Sequence, residues 1–144
     1  MAPEFSAKTI NGNIIDLKQF QNKSFVLLDF WGSWCFPCRR LTPNLKAIYE
    51  KFHDNGFEII SIAINDKEEN WKKAIAEDSM QRWQHILDND TIKNLYSADF
   101  VPILYLINRE GKVIARYNGG ERAYGERPYW ELYQDLNELF GKPN

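Results

Sequence analysis

A seven-residue run, Phe25-Val26-Leu27-Leu28-Asp29-Phe30-Trp31, restricts the fold more than any other part of the chain. It has the length of a strand and carries one polar residue, which suits a strand covered on both faces. Directly beyond it stand Cys35 and Cys38, and then a helical pattern. Leu41, Leu45, Ile48, Tyr49 and Phe52 recur at helical spacing, and Asn55-Gly56 marks the stop. A strand buried on two sides needs packing layers on both, so the class is α/β.

The remaining pattern agrees. Phe5 to Leu17 predicts two short strands about an Asn11-Gly12-Asn13 turn. Phe57 to Ile64 is a second apolar strand. Glu68 to about Met80 reads as a helix with Trp71, Ile75 and Met80 inward. Gln84 to Leu87 is a short extended piece, and Asp90 to Tyr96 a short helix with Ile92, Leu95 and Tyr96 inward. Ile103 to Ile107 is a third buried strand; Asn108-Arg109-Glu110-Gly111 turns it into a partner over Lys112 to Tyr117. Asn118 to Pro128 reads as loop. Tyr129 to Phe140 is an amphipathic helix with Trp130, Leu132, Tyr133, Leu136, Leu139 and Phe140 on its apolar face, ended by Gly141 and Pro143. Strand–helix–strand order implies parallel neighbours with a right-handed crossover, and the later hairpin adds antiparallel strands. The expectation is a single domain over 1–144: a mixed central β-sheet flanked by helices, with an N-terminal β-hairpin.

At 144 residues and 44% hydrophobic content the chain can bury a core without disulfide staples. Net charge is -2 with no Lys/Arg cluster, which argues against nucleic acid as a partner. No apolar run approaches the roughly 20 residues of a membrane span. Met1-Ala2-Pro3-Glu4-Phe5 lacks the charged and apolar regions of a signal peptide.

The only two cysteines sit in one short motif, Trp34-Cys35-Phe36-Pro37-Cys38, so their task is local. Cys35 falls at the first turn of a helix, where unpaired amides and the positive dipole end favour a thiolate. The thiolate is the attacking species in disulfide exchange. Pro37 fits because the first turn has no amide bond to lose. Two intervening residues let the second sulfur reach the first, so Cys35 can attack a disulfide and Cys38, deeper in the helix, can resolve the product. A zinc site would need about four ligands, and His53 and His85 lie in separate segments without ligand spacing. A structural disulfide across so short a loop would remove little unfolded-state entropy.

The segment Phe30-Trp31-Gly32-Ser33-Trp34-Cys35-Phe36-Pro37-Cys38-Arg39 resembles the active-site stretch of the thioredoxin superfamily, closest to its TlpA/ResA-like branch and related to the AhpC/TSA redoxins. The likeness runs from Pro3-Glu4-Phe5 through the early hairpin, Pro102 and the Ile107 to Lys112 turn to the last helix. It implies a thioredoxin-like fold and a thiol–disulfide oxidoreductase that reduces protein disulfides, with no cofactor beyond the cysteine pair. It implies protein disulfide substrates, an upstream thiol reductant, a monomer, and an extracytoplasmic (periplasmic or envelope-anchored) setting with any membrane tether outside these residues.

The resemblance also assigns roles. Pro102 matches the cis-proline facing the dithiol, with Val101 presenting backbone to a substrate strand; without the cysteine motif it would read as a trans proline opening an edge strand. Ile103 departs from the family's frequent Thr. Asp29 is a carboxylate within an apolar strand, costly to bury and raised in pKa if buried. It matches the buried aspartate of thioredoxin and would relay the Cys38 proton; the alternative is an Asp29 turned to water. The branch's usual acid, three residues after the second cysteine, is replaced by Leu41. Pro43 matches the proline that kinks the active-site helix. Trp31 reads as core, Trp34 as a partly exposed substrate wall, and Arg39 and Arg40 as solvated surface in preference to groups that favour the nearby thiolate or an acidic partner. Tyr124, Tyr129, Trp130 and Tyr133 read as core and loop packing.

Two other functions fit the fold. A peroxiredoxin would need a Pro-x-x-x-Thr/Ser pattern before its cysteine, and those positions are Leu28 and Gly32. A non-catalytic redoxin interaction module would not need both cysteines, and both are present.

Overall fold

The structure, a computed structural model, describes residues 1–118 and 127–141. Its first unit is a hairpin of β1 (Ser6–Lys8) and β2 (Ile14–Asp16), paired antiparallel. Gly12 at φ +86 makes the turn, a conformation that L side chains rarely adopt. The hairpin is a separate two-stranded sheet. Its end docks on the edge of the main sheet, where the Ile10 amide donates to the His85 carbonyl at 2.9 Å.

The main sheet contains β3 (Phe25–Trp31), β4 (Phe57–Ala63), β5 (Gln84–Leu87), β6 (Ile103–Ile107), β7 (Val113–Asn118) and β8 (Arg127–Pro128), in the order β5-β4-β3-β6-β7-β8. β3 lies parallel to β4, and β4 to β5, while β6 runs antiparallel to both β3 and β7. β3 is therefore central, and all seven of its residues are buried. Its alternation feeds two cores. Leu27 and Trp31 pack with α1 (Phe36–Phe52), α2 (Glu68–Glu77) and α4 (Glu131–Gly141). Val26, Leu28 and Phe30 pack with the hairpin and α3 (Thr91–Leu95) on the opposite face. The mixed sheet with helices on both faces is the expected architecture.

Differences fall at element ends. α2 stops at Glu77 because Ser79 turns left-handed (φ 53) and the Met80 amide bonds back to the Ile75 carbonyl at 3.0 Å. This cap buries Met80 beyond the helix instead of within it. A five-residue α3 buries one row, Ile92 and Tyr96, so Leu95 is exposed rather than inward. α4 likewise buries Leu132 and Leu136, four apart; Tyr133 and Leu139 lie off that row, Trp130 precedes the helix, and all three are exposed rather than core. Asn118 ends β7 and Arg127–Pro128 pairs parallel with it, so both ends of the expected 118–128 loop are strand. Tyr124 and Pro143 lie outside the described residues.

Candidate active site

β3 ends at Trp31, and three residues, Gly32 to Trp34, lead to Cys35 at the N-cap of α1. The N-cap position is usually a serine or aspartate oxygen accepting an amide two or three residues on. Here the Cys35 Sγ accepts from the Cys38 amide at 3.2 Å. Cys35 and Cys38 are joined as a disulfide with Cα atoms 5.3 Å apart. Phe36 and Pro37 fill the first turn without wasting a helical hydrogen bond. Pro43 lies inside this helix. The expected contrast in burial between the two cysteines is not seen: Cys35 is 4% exposed and Cys38 3%. With the disulfide closed, both cysteines belong to the buried cluster that also holds Trp31, Leu41 and Leu45.

The loop is held at three points. The Ser33 amide and hydroxyl donate to the two Asp66 oxygens at 2.7 and 2.6 Å. The Trp34 indole donates to the Ile64 carbonyl at 3.1 Å. Arg39 donates to the Ser33 carbonyl at 3.3 Å and grips Asp78 with two bonds of 2.8 and 3.0 Å. Arg39 is therefore an anchored fork and not the solvated residue expected from sequence, because α2 ends with Glu77 and Asp78 beside it. The Asp78 carboxylate pushes the Arg39 pKa up. Arg40 is exposed.

Val101–Pro102 is a cis peptide bond. Phe30 pairs with Ile103 across β3 and β6. The Val101–Pro102 bond and the loop that carries Cys35 therefore leave the same end of this strand pair. Val101 is half-buried against both cores. Trp34 is 53% exposed and Phe36 76%, so two aromatic rings flank the dithiol in solvent.

Asp29 is 2% exposed, which removes the water-facing alternative. Strand alternation puts it on the face of Leu27 and Trp31, the face that packs against both cysteines. Burial pushes its carboxyl up to about 6, opposed by a hydrogen bond from Ser61. Leu41 is buried and apolar, so α1 offers no carboxyl at that position. Among the described residues no group of three or more His, Cys, Asp and Glu side chains could hold a metal.

Sequence reasoning did not single out Ser33, Ser61, Asp66, Asp78 or Trp83 around this site. A signal existed for Asp66. Parallel β3 and β4 end side by side, so the segments after Trp31 and after Ala63 must meet. Ser61 stands within β4, where only the lateral register with β3 reveals it, and the other partners come from loops and turns that pattern does not resolve.

Comparison with known proteins agrees with this geometry. The AhpC/TSA family model matches residues 1–119. A thiol–disulfide oxidoreductase ResA of Bacillus cereus is 31% identical over 138 residues, spanning 96% of this chain and 76% of that protein. The ResA of Bacillus subtilis is 31% identical over 122 residues, spanning 82% and 65%. Among solved structures, the thioredoxin domain of a thiol–disulfide oxidoreductase from Bacteroides vulgatus superposes with a TM-score of 0.81 at 32% identity, covering 96% of this chain and 94% of that one. A thiol:disulfide interchange protein from a Bacteroides species gives 0.79 at 31%, covering 99% and 90%. With its cysteine pair capping a helix behind a buried strand, the chain belongs to the AhpC/TSA family, as a TlpA/ResA-like thiol–disulfide oxidoreductase of the thioredoxin superfamily.

Proposed function

We propose that this protein reduces protein disulfides, as one domain over residues 1–144, by dithiol exchange at Cys35 and Cys38. The observation that carries the reading is the Cys35 sulfur seated as the N-cap of α1 and accepting the Cys38 amide. The same amide and helix dipole favour a thiolate at Cys35 once the pair is reduced.

Cys35 thiolate attacks one sulfur of the substrate disulfide. The other substrate sulfur leaves as a thiolate and takes a proton from water. Asp29 accepts the Cys38 proton as Cys38 attacks the Cys35 sulfur of the mixed disulfide. The second substrate thiol departs, and the Cys35–Cys38 disulfide remains. An upstream dithiol returns the two electrons; no further cofactor takes part. Val101 and Pro102 offer backbone to the substrate strand, and Trp34 walls its side. The resemblance to the ResA group supports work outside the cytoplasm and as a monomer. Among the described residues no helix is long and apolar enough to cross a membrane.

The test is trapping and turnover. Cys38→Ser should accumulate mixed disulfides through Cys35, and Cys35→Ser should not. A strongly negative reduction potential for the pair supports reduction, whereas a high one would turn the reading towards oxidation or isomerisation. Absence of any trapped disulfide would favour a non-catalytic interaction module.

The AhpC/TSA match raises a peroxidase as the second reading. Gly32 opposes it. Position 32 carries no hydroxyl, and a Cβ there would overlap the Trp34 indole, so the side chain that reading requires is absent and could enter only by displacing the ring. Peroxide consumption under thiol supply, lost in Cys35→Ser, would reverse this.

A further inference from the structure

Behind the dithiol, three buried side chains form a directed hydrogen-bond chain. The Trp83 indole Nε1 donates to the Ser61 Oγ at 2.9 Å, and the Ser61 hydroxyl donates to the Asp29 Oδ2 at 2.6 Å. Asp29 is 2% exposed, Ser61 0% and Trp83 5%. The three come from β3, β4 and the turn before β5, and β3 and β4 place Asp29 directly beside Ser61 in register.

The direction of the chain follows from donor chemistry. An indole N–H can only donate, so Ser61 must accept from Trp83. That fixes the hydroxyl rotor and turns its single proton towards the carboxylate. A donated hydrogen bond favours the charged carboxylate over the neutral acid, against the cost of burial. We propose that Ser61, its hydroxyl oriented by Trp83, is a positioning residue that keeps part of the Asp29 population ionised at neutral pH, so that the buried carboxylate is available as a base.

Other ionisable groups on this face do not substitute for the chain. They are Tyr49 of α1, His85 of β5 and Tyr117 of β7, Cys35 and Cys38 being joined as a disulfide. His85 stacks on Trp83 with ring centroids 5.8 Å apart, and burial lowers its pKa to about 4, so it stays neutral where Asp29 titrates. Burial raises the Tyr49 pKa, which keeps that ring neutral as well. The Tyr117 hydroxyl points to Asp135 on α4 at 2.7 Å.

The catalytic meaning of this inference rests on the proposed role of Asp29, but its test does not. The Asp29 carboxyl carbon is titrated by NMR in the intact oxidised protein and in three variants. In Ser61→Ala the midpoint should rise by about one pH unit, a tenfold fall in the ratio of ionised to neutral carboxyl at a given pH. Trp83→Phe keeps the ring, frees the hydroxyl rotor and should shift the midpoint upward by less. Ser61→Thr restores the hydroxyl and should return the midpoint to that of the parent. An unmoved or lowered midpoint in both Ser61→Ala and Trp83→Phe overturns the inference. The pH profile of mixed-disulfide release is then read on the same proteins in their reduced form. If it shifts with the titration, both statements hold; if the titration moves and the profile does not, the chain stands and the base role of Asp29 falls.

Discussion

The Asp66 carboxylate takes two hydrogen bonds from Ser33, one from the backbone amide at 2.7 Å and one from the hydroxyl at 2.6 Å. This fork ties the segment after β4 to the segment before Cys35. It is one of three ties on the three residues that carry the N-cap sulfur, beside those from Trp34 and Arg39. Asp66→Ala removes both acceptors and leaves the Ser33 amide to half-exposed surroundings. The expected loss is about 1–2 kcal/mol of stability, from two charge-assisted bonds discounted for partial exposure. Denaturant midpoints of the disulfide form measure it. A variant as stable as the parent would mean that the loop is held by Trp34 and Arg39 alone.

Arg39 carries a different constraint. Its fork grips Asp78, reaches Glu77 at 3.0 Å, and reaches back to the Ser33 carbonyl. One side chain thereby joins the first turn of α1, the end of α2 and the cysteine loop. Lysine preserves the charge but not the planar fork. Arg39→Lys should cost about 1 kcal/mol, since the groups are partly solvated, and most of that loss should persist in high salt because it is geometric. A lysine variant equal to arginine at low salt would show that charge alone suffices.

Gly32 is a third local requirement. The Trp34 ring lies over it so closely that an added Cβ would overlap the indole. Gly32→Ala should push the ring outward and break its 3.1 Å bond to the Ile64 carbonyl. Tryptophan emission would shift to the red, and turnover on a protein disulfide would fall severalfold while reactivity towards a small thiol reagent changed little. An unchanged emission spectrum would place the ring elsewhere.

These contacts show where the sequence was legible. Leu27 and Trp31 alternate with Val26, Leu28 and Phe30, and period-2 patterning alone assigns them to two cores. Cys35, Cys38 and Pro37 specify a helix start through capping chemistry, and the start is there. Asp29 stood out because a carboxylate within an apolar strand must be compensated. Its partners did not stand out. Ser61 and Trp83 are ordinary residues whose meaning depends on the lateral register of β3 and β4 and on the turn before β5. Arg39 was misread for the same reason: the length of α2, ended by the left-handed Ser79, decides what faces it. Trp130 and Tyr133 were misread because an amphipathic count does not reveal that only the Leu132–Leu136 row meets the sheet.

Asp29 also makes stability depend on pH, and the sign follows from its environment. Its carboxyl is raised from 3.8 to about 6 in the folded protein, chiefly by burial. The native state therefore holds this proton more tightly than the unfolded chain. The favourable contribution is complete below about pH 4 and is lost as pH rises through about 6. At pH 8 the buried charge costs about 3 kcal/mol relative to a group that does not ionise. His85 works in the opposite sense, because its lowered pKa of about 4 makes the fold weaker as pH falls below its ordinary 6.5. Comparing Asp29→Asn with the parent cancels the His85 contribution, since both proteins contain it. The asparagine oxygen still accepts from Ser61, so the chain to Trp83 is kept. Asp29→Asn should approach the parent in stability below about pH 4, overtake it between about pH 4 and 6, and hold a lead of about 2–3 kcal/mol up to pH 8. Urea unfolding of the disulfide forms at four or five pH values measures the difference directly. A constant difference across that range would show that Asp29 does not titrate between the two limits, and would remove it as a base for Cys38 as well.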